Sequence, residues 1–404
     1  MHRLSYVRMP GQLFLKYLFY CTIVVTCCSC RSDLKSKFNL EKSAEYLFDV
    51  GFLSNHKFMG VISSELAPTG DTNRVLFYFG DPITQKKIKF FNADNNLVYT
   101  TPLLLVHDTL DGIRHFEIFA KDSILVFGAH NDKLAIVNFS GEILGVLHFE
   151  SRIKPYLDWW LDYYPTYSGS CVDKNDLFLY VQFYSLSKKI PTNPPTTFFA
   201  DALNAPFFLR IRNFADSIKM EYTFGLFNFY RRFMNDSMAM TELVRYNVEN
   251  NQLILFSLFS DTLYFINEDS LTIDHAFRIE SSFTSVSSPP VRLTSTQAYQ
   301  DYLKNVLRYK GYISKVMFDD KHSIYVILVA HTFNPEKNRT RDYSLCLYNS
   351  NGEKIQDLSW PEAEGEAGII YQYGSNYYIL NVENNDLKNQ GYKVKYEQYK
   401  LVYQ

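Results

Sequence analysis

Short apolar or alternating runs follow one another along the chain from about residue 55, and clusters of Asn, Asp, Gly and Ser separate them. This pattern is typical of strands joined by tight turns, because a half-buried strand alternates between apolar and polar positions. The clearest stretch, 241–279, reads TELVRYN, NQLILFSLFS, TLYFIN and SLTIDHAFRI between its turns. It predicts a unit of four consecutive antiparallel strands.

The four-strand unit recurs along the chain. Two further clear copies span 112–148 and 313–360, and their turns NFSGE (138–142) and NSNGE (349–353) occupy the same place between the third and fourth strands. Glycine at such a place supplies the positive φ that a tight hairpin needs. Weaker units at about 57–106, 166–224 and 366–404 bring the predicted number to six.

Tandem units of roughly 40 to 60 residues with four strands each predict an all-β fold, a six-bladed β-propeller of four-stranded antiparallel blades. The last unit supplies about three strands, so we expect residues within 38–55 to donate the missing strand and protect the sheet edge. A pair of β-sandwiches or a large barrel is the alternative fold. The constant phase of the turns favours the propeller.

The long connections between strands are predicted to share one side of the propeller. Connections between second and third strands, and between successive units, fall on the same side, and the long segments all belong to these two kinds: 149–165, 185–206, 225–240, 280–311 and 332–342. Long loops on a rigid scaffold commonly carry function. Within one of them, residues 294–308 predict a short helical insertion that packs over the propeller.

The N-terminal segment differs from the rest of the chain. Arg3, Arg8 and Lys16 precede an apolar run from Tyr17 to Cys28, which is too short to span a bilayer and is typical of an export signal. Residues 1–30 are therefore predicted to be a lipoprotein-type signal segment. Residues 31–55 then form a linker with the blade-closing strand, and residues 56–404 form the propeller.

The pair Ser29-Cys30 resembles the end of a bacterial lipoprotein signal, in which a small residue precedes the cysteine that is lipidated. Cys30 is the expected acceptor and Cys28 the second choice, and an ordinary cleaved signal or an uncleaved anchor is the alternative. With the aromatic-rich repeats, this segment resembles the six-bladed β-propeller lipoproteins of Bacteroidetes, many of which have no known function. The resemblance implies an exported, lipid-anchored protein of the bacterial cell envelope, at the outer membrane or the periplasmic face.

One cluster of aromatic and acidic residues is a candidate binding site. The segment LDWWLDYY falls on the side of the long connections and supplies Asp158, Trp159, Trp160, Asp162, Tyr163 and Tyr164. Flat aromatic rings edged by carboxylates suit a sugar ring. Packing of the loop against the propeller is the alternative, because aromatic residues make up 17% of the chain.

A second candidate is the group Tyr230, Arg231 and Arg232, whose guanidinium groups could clamp a carboxylate or phosphate. Solvated or ion-paired arginines are the alternative. The nine histidines show no metal-ligand spacing, and only His331 falls at the edge of a long connection. No metal site, cofactor or catalytic residue is predicted, because the chain has no nucleophile, phosphate-loop or dinucleotide motif in a supporting context.

The overall charge excludes one class of partner. The chain carries 41 basic and 43 acidic residues, so no basic field is available to recruit nucleic acid. The expected function is non-catalytic recognition of a glycan or an envelope protein through the side with the long connections. The alternative is a carbohydrate-active enzyme, a glycosidase or lyase, that uses carboxylates on the same side.

Overall fold

The computed structural model describes residues 38–52, 58–67, 75–129, 133–148, 161–164, 172–173, 176–183, 208–212, 219–223, 244–249, 252–257, 261–267, 273–286, 301, 310–333, 341–360, 369–381 and 393–404. Phe38–Val402 form one compact unit. Its strands belong to antiparallel sheets. The segments in which apolar and polar residues alternate are the ones that form paired strands.

Strand β1 (Phe38–Asp49) comes first in the chain. Blade A contains β2 (Met59–Ser63), β3 (Val75–Asp81), β4 (Lys87–Phe91) and β5 (Leu97–Pro102). Blade B contains β6 (Ile113–Ala120), β7 (Ser123–Gly128), β8 (Lys133–Val137) and β9 (Ile143–His148). A five-stranded sheet follows, with β10 (Leu161–Tyr164), β11 (Val172–Asp173), β12 (Asp176–Phe183), β13 (Phe208–Arg212) and β14 (Lys219–Thr223).

Blade C contains β15 (Val244–Glu249), β16 (Gln252–Ser257), β17 (Thr262–Ile266) and β18 (Ile273–Arg278). Blade D contains β19 (Tyr312–Asp319), β20 (Ile324–Phe333), β21 (Arg341–Asn349) and β22 (Lys354–Ser359). Blade E contains β23 (Ile370–Tyr373), β24 (Asn376–Asn381), β25 (Lys393–Tyr403) and, at its outer edge, β1.

The predicted all-β propeller with four-stranded antiparallel blades is confirmed, but the prediction of six such blades needs a correction. The structure has five of them, and the sheet between blades B and C in the sequence has five strands. Its first strand is split, because β10 pairs with the end of β12, where Leu161 is opposite Phe183, and β11 pairs with the start, where Val172 is opposite Leu177. The sequence between β10 and β11, PTYSGSC, lacks the alternation of apolar and polar residues that is typical of a strand.

Apolar cores between neighbouring sheets hold the blades together. Blades C and D share one core, D and E a second, E and A a third, and A and B a fourth. The five blades therefore follow one another in the order C, D, E, A, B. Because side chains alternate between the two faces of a strand, each central strand contributes to the cores on both of its sides.

Aromatic rings fill the core between blades E and A. The rings of Phe48 and Phe77 lie 4.6 Å apart, and the Tyr396 ring is 5.2 Å from that of Phe77. All three side chains are fully buried. Large rings in offset or edge contacts fill the space between two twisted sheets, which accounts for much of the aromatic content of the sequence.

Strand β1 joins the beginning of the described chain to its end. It lies beside β25, where Lys42 pairs with Glu397 at 2.7 Å and Lys395 pairs with Glu45 at 3.2 Å. The first residue of the strand also reaches the neighbouring blade, since the Phe38 backbone N–H donates to Oε1 of Gln356 at 2.8 Å. The outermost edge of blade E is thereby paired rather than open.

Turns between third and fourth strands repeat in atomic detail. In blades A, B and D an asparagine opens the turn, and its backbone N–H donates at 3.0 Å to the carbonyl four residues later, in the pairs Asn92–Asn96, Asn138–Glu142 and Asn349–Glu353. A positive φ follows at the fourth position, at Asn95, Gly141 and Gly352. In blade A an asparagine replaces the glycine, because Asn tolerates this conformation better than other residues. Gly352 also needs its small size, since a Cβ there would lie 2.6 Å from the Phe277 ring.

One helix among the described elements is α1 (Leu104–Thr109), which connects blade A to blade B. It buries Val106 and is flanked by the buried Leu103 and Leu110. The helical insertion predicted at 294–308 lies outside the described residues, apart from Asp301, which is helical. No sequence pattern predicts α1, because six residues are too few to display a helical period.

Candidate functional site

The positions of the strands divide the connections between two sides. The first and second strands are joined by short turns at 121–122, 250–251, 320–323 and 374–375, while the segment 64–74 in blade A is an exception. We call the opposite side, which carries the connections 149–160, 184–207, 224–243, 279–311, 334–340 and 382–392, the long-connection side. The predicted division therefore holds in all sheets except at the first turn of blade A.

Most of the predicted site residues belong to segments outside the described ranges. Asp158, Trp159 and Trp160 lie outside the described residues, as do the group Tyr230, Arg231 and Arg232 and the two candidate lipidation positions, Cys28 and Cys30.

The structure corrects the assignment of Asp162, Tyr163 and Tyr164 to a loop. These residues belong to β10, and Tyr164 is paired with Tyr180 of β12. Successive positions of a strand alternate between the two faces of a sheet, so positions 162 and 164 share a face that position 163 does not. Because Asp158, Trp159 and Trp160 lie outside the described residues, the binding site predicted for this segment stays a prediction.

Exposed apolar side chains lie on the long-connection side of blade A. Ile83, in the turn between β3 and β4, is 66% exposed, and Leu104 and Leu105 of α1 are 55% and 62% exposed. The two segments are joined, because the Leu103 backbone N–H donates to the carbonyl of Lys86 at 2.6 Å. We call Ile83, Leu104 and Leu105 the apolar patch. Neighbouring apolar side chains exposed in this way are typical of a contact surface.

His331 lies where β20 enters the connection 334–340, as the sequence indicated. Its ring stacks on Phe283 with 5.8 Å between centroids, and its carbonyl accepts a hydrogen bond from Arg341. Burial lowers the pKa of the imidazole. Its Nε2 is buried and has no hydrogen-bond partner in the described part of the chain. These contacts position a neutral aromatic ring at the base of a long connection.

The structure also brings together ionisable side chains from blades E, A and B that no pattern in the sequence predicts. Tyr78 of β3 crosses over Gly60 of β2, where a Cβ would lie 2.4 Å from the tyrosine hydroxyl. The first strand of a blade is its inner edge, and β2 contacts β23 of the next blade at this edge. The missing side chain of Gly60 therefore lets the Tyr78 hydroxyl reach the inner edge of blade A.

Three more side chains approach the same region from other strands. Glu117 belongs to β6, Tyr371 to β23 and Tyr396 to β25, and we call these three residues and Tyr78 the axial cluster. The rings of Tyr371 and Tyr396 meet edge to face at 6.0 Å. Charge on Glu117 acts on Tyr78, and charge on Tyr78 acts on Tyr371 and Tyr396, so the four ionisable groups are close enough to interact electrostatically.

Burial determines the protonation of the axial cluster. Desolvation raises the pKa of Glu117 to about 8, and it raises the pKa of Tyr78, Tyr371 and Tyr396 above the usual tyrosine range. The physical cause is that a charge leaving water for a low-dielectric interior loses its hydration. At neutral pH the carboxyl and the three phenols are therefore protonated, and each can donate as well as accept a hydrogen bond.

Lys315 of β19 borders the axial cluster from blade D. Its Nζ donates to the carbonyl of Ile370 at 2.7 Å and lies 5.4 Å from the centroid of the Tyr371 ring. The ammonium group is thus held by a carbonyl and an aromatic face. Four consecutive blades, D, E, A and B, contribute to this region.

The architecture and the arrangement of connections define a β-propeller. The structure of a DUF4221 family member from Bacteroides vulgatus is similar over 92% of this chain and 100% of that chain, with a TM-score of 0.61 and 13% identity. A candidate exported protein of Bacteroides fragilis matches over 92% and 96% of the two chains, with a TM-score of 0.44 and 11% identity. The β-propeller domain of Cps50 (Swd1) from Myceliophteria thermophila matches over 89% and 100%, with a TM-score of 0.40 and 7% identity.

At these identities the similarity concerns the fold alone. No family model matches the sequence, and no curated protein sequence matches it significantly. Within the described ranges, no cluster of three or more His, Cys, Asp or Glu side chains could hold a metal ion. No helix in the part of the chain that the structure covers is long and apolar enough to cross a membrane.

Proposed function

We propose that this protein is a non-catalytic recognition module of the bacterial cell envelope, which binds a glycan or a protein partner through the long-connection side. The observation that carries the proposal is the concentration of long connections on one side of a rigid propeller. The apolar patch lies on the same side, and a contact surface commonly combines exposed apolar residues with loops.

Export and lipid anchoring belong to the same proposal. The signal-like segment 1–30 supports export, and Cys30, or Cys28 as second choice, would carry the lipid. On this proposal the protein belongs with the β-propeller lipoproteins of Bacteroidetes. Intact mass of the membrane-extracted protein, compared with Cys30→Ala and Cys28→Ala, tests the anchor. A wild-type mass without lipid would refute it.

The binding surface is tested with the full-length protein on a glycan array and by co-purification from envelope extracts. Leu104→Ala with Leu105→Ala removes two exposed side chains of the apolar patch, and Leu97→Ala with Val98→Ala is the matched control, because this exposed pair lies on the outer strand β5. Binding that is lost only in the first variant supports the proposal. If both variants bind as the wild type does, the apolar patch is not the binding surface.

The predicted aromatic cluster is examined in the same assay with Trp159→Ala combined with Trp160→Ala. Loss of glycan binding in this variant, with an unchanged unfolding midpoint, supports a carbohydrate ligand. The enzymatic alternative predicts a different result, namely release of products from a polysaccharide that stops on Asp158→Asn or Asp162→Asn. Turnover of this kind would replace the non-catalytic proposal.

A further inference from the structure

We infer that the lipid anchor holds the propeller with its short-turn side towards the membrane and with its long-connection side pointing away. The short-turn side is the side that carries the turns 121–122, 250–251, 320–323 and 374–375. This inference rests on the lipid anchor proposed above, and it adds the direction in which that anchor presents the binding surface. A partner of the long-connection side then approaches from the side opposite the anchoring bilayer.

The first residue of β1 lies on the short-turn side. The buried ring of Phe38 meets His322, in the turn 320–323 of blade D, edge to face with 5.4 Å between centroids. The Phe38 backbone N–H donates to Oε1 of Gln356 at 2.8 Å, and its carbonyl accepts from Nε2 of the same side chain at 3.1 Å. Gln356 lies near the start of β22, next to the turn 349–353, which is on the same side because successive strands of a blade are antiparallel. Two turns of blade D therefore mark the place where the chain enters the propeller.

The direction of β1 agrees with these contacts. Lys42 pairs with Glu397, and Glu45, further along β1, pairs with Lys395, so residue numbers rise along β1 while they fall along β25. Strand β25 starts after the long connection 382–392 and runs towards the short-turn side. Because β1 is antiparallel to β25, it starts on the short-turn side and ends on the long-connection side.

The tether between the lipidated cysteine and the fold is short. A fully extended chain from Cys30 to Phe38 reaches about 29 Å. The 12 residues of β1 span about 36 Å at the usual rise of a strand. The tether from Cys30 is therefore too short to run back along β1 to the long-connection side. With Cys28 as the acceptor the reach is about 36 Å, and only a completely extended chain, at the full cost in conformational entropy, would arrive there.

The orientation decides what can reach the apolar patch. Ile83, Leu104 and Leu105 are exposed on the long-connection side. Exposed apolar side chains can bind at the surface of a bilayer as well as to another protein. With the short-turn side towards the membrane, the apolar patch does not contact the bilayer that holds the anchor. It is available to a partner that approaches from solution.

The test places a fluorescent label on either side of one blade. Lipidated protein, produced from the full chain with Cys171→Ser, is labelled at Ala93→Cys, in the short turn 92–96 of blade A, or at Thr84→Cys, in the turn between β3 and β4 on the long-connection side. Both positions are exposed, and the remaining thiol, Cys346, is buried. The protein is reconstituted into phosphatidylcholine vesicles that carry a nitroxide quencher on their headgroups. We expect quenching at position 93 to be at least threefold stronger than at position 84.

Blade D provides an independent pair of label positions. Asn351→Cys lies in the turn 349–353 on the short-turn side, and Thr332→Cys lies near the end of β20 on the long-connection side. Agreement between the two blades distinguishes a whole side that faces the membrane from a single blade that touches it. Equal or reversed quenching within either pair, in protein that carries the lipid, would overturn the orientation and leave the anchor intact.

Two further variants separate the tether from the anchor. The combination of Cys30→Ala with Cys28→Ala has no lipid acceptor and should lose quenching at every label position. A wild-type mass without lipid would refute the anchor and the orientation together. Insertion of about ten Gly and Ser residues after Lys37 should bring the quenching ratio between positions 93 and 84 close to one, because the longer tether reaches past β1. An unchanged ratio would mean that a different contact sets the orientation, contrary to the proposal.

Discussion

Replacement of Glu117 by glutamine should change how stability depends on pH. The folded protein holds the pKa of this carboxyl at about 8, against 4.5 for an exposed glutamate. Between these values the folded state keeps a proton that the unfolded state releases. The contribution of Glu117 is therefore complete below about pH 4.5 and is lost as pH rises towards 8.

The size of the effect follows from the two pKa values. For one group with pKa values of 4.5 and about 8, proton linkage gives a loss of about 2.5 kcal/mol in unfolding free energy between pH 5 and pH 7, and about 1 kcal/mol more by pH 8. Glutamine has nearly the same shape as the protonated acid but does not ionise. Glu117→Gln should thus match the wild type near pH 5 and exceed its stability increasingly above pH 6.

The assay is urea unfolding followed by tryptophan fluorescence at pH 5, 6, 7 and 8. Glu65→Gln is the control, because Glu65 is an exposed glutamate in the first turn of blade A, and this variant should follow the wild-type curve. The reasoning is refuted if the stability difference between the wild type and Glu117→Gln is constant across this range. Such a result would mean that Glu117 is hydrated or paired in the folded protein.

Three further predictions concern packing and conformation. Tyr396→Phe removes a buried hydroxyl that has no partner, so the free protein should gain about 1 kcal/mol in urea unfolding, and a loss of stability would contradict this interpretation. Gly352→Ala and Gly374→Ala both place alanine at a positive φ, which costs about 1 kcal/mol. Only Gly352→Ala also creates a clash, with the Phe277 ring, so its unfolding midpoint should fall clearly further than that of Gly374→Ala. Phe48→Ala should cost about 3 to 5 kcal/mol in urea unfolding because the ring is fully buried. Lys42→Ala should cost less than about 1 kcal/mol, because Lys42 is exposed and Glu397 keeps Lys395 and the Tyr399 hydroxyl as partners; similar losses in the two variants would refute the contrast.

The repeated unit could be predicted because its signals are local. A turn such as NSNGE encodes its hydrogen bonds within five residues, and the same turn in NFSGE made the phase of the blades visible. The copy at 92–96 was less visible because Asn95 takes the place of the glycine. The sequence predicts a loop at 161–164, because aromatic and acidic residues occur both in strands and in exposed connections. Only the pairing with β12 identifies this segment as a strand.

The sequence by itself determined the strands, the tight turns and the side that carries the long connections, because alternation and turn chemistry act between residues that are close along the chain. Only the tertiary structure decided which residues form the axial cluster. Tyr78, Glu117 and Tyr371 lie on strands of three different blades, and no spacing in the sequence relates them. Gly60 lets the Tyr78 hydroxyl reach the inner edge of blade A, because the Tyr78 ring lies where any other residue at position 60 would carry its side chain. Only the three-dimensional structure shows this role of Gly60.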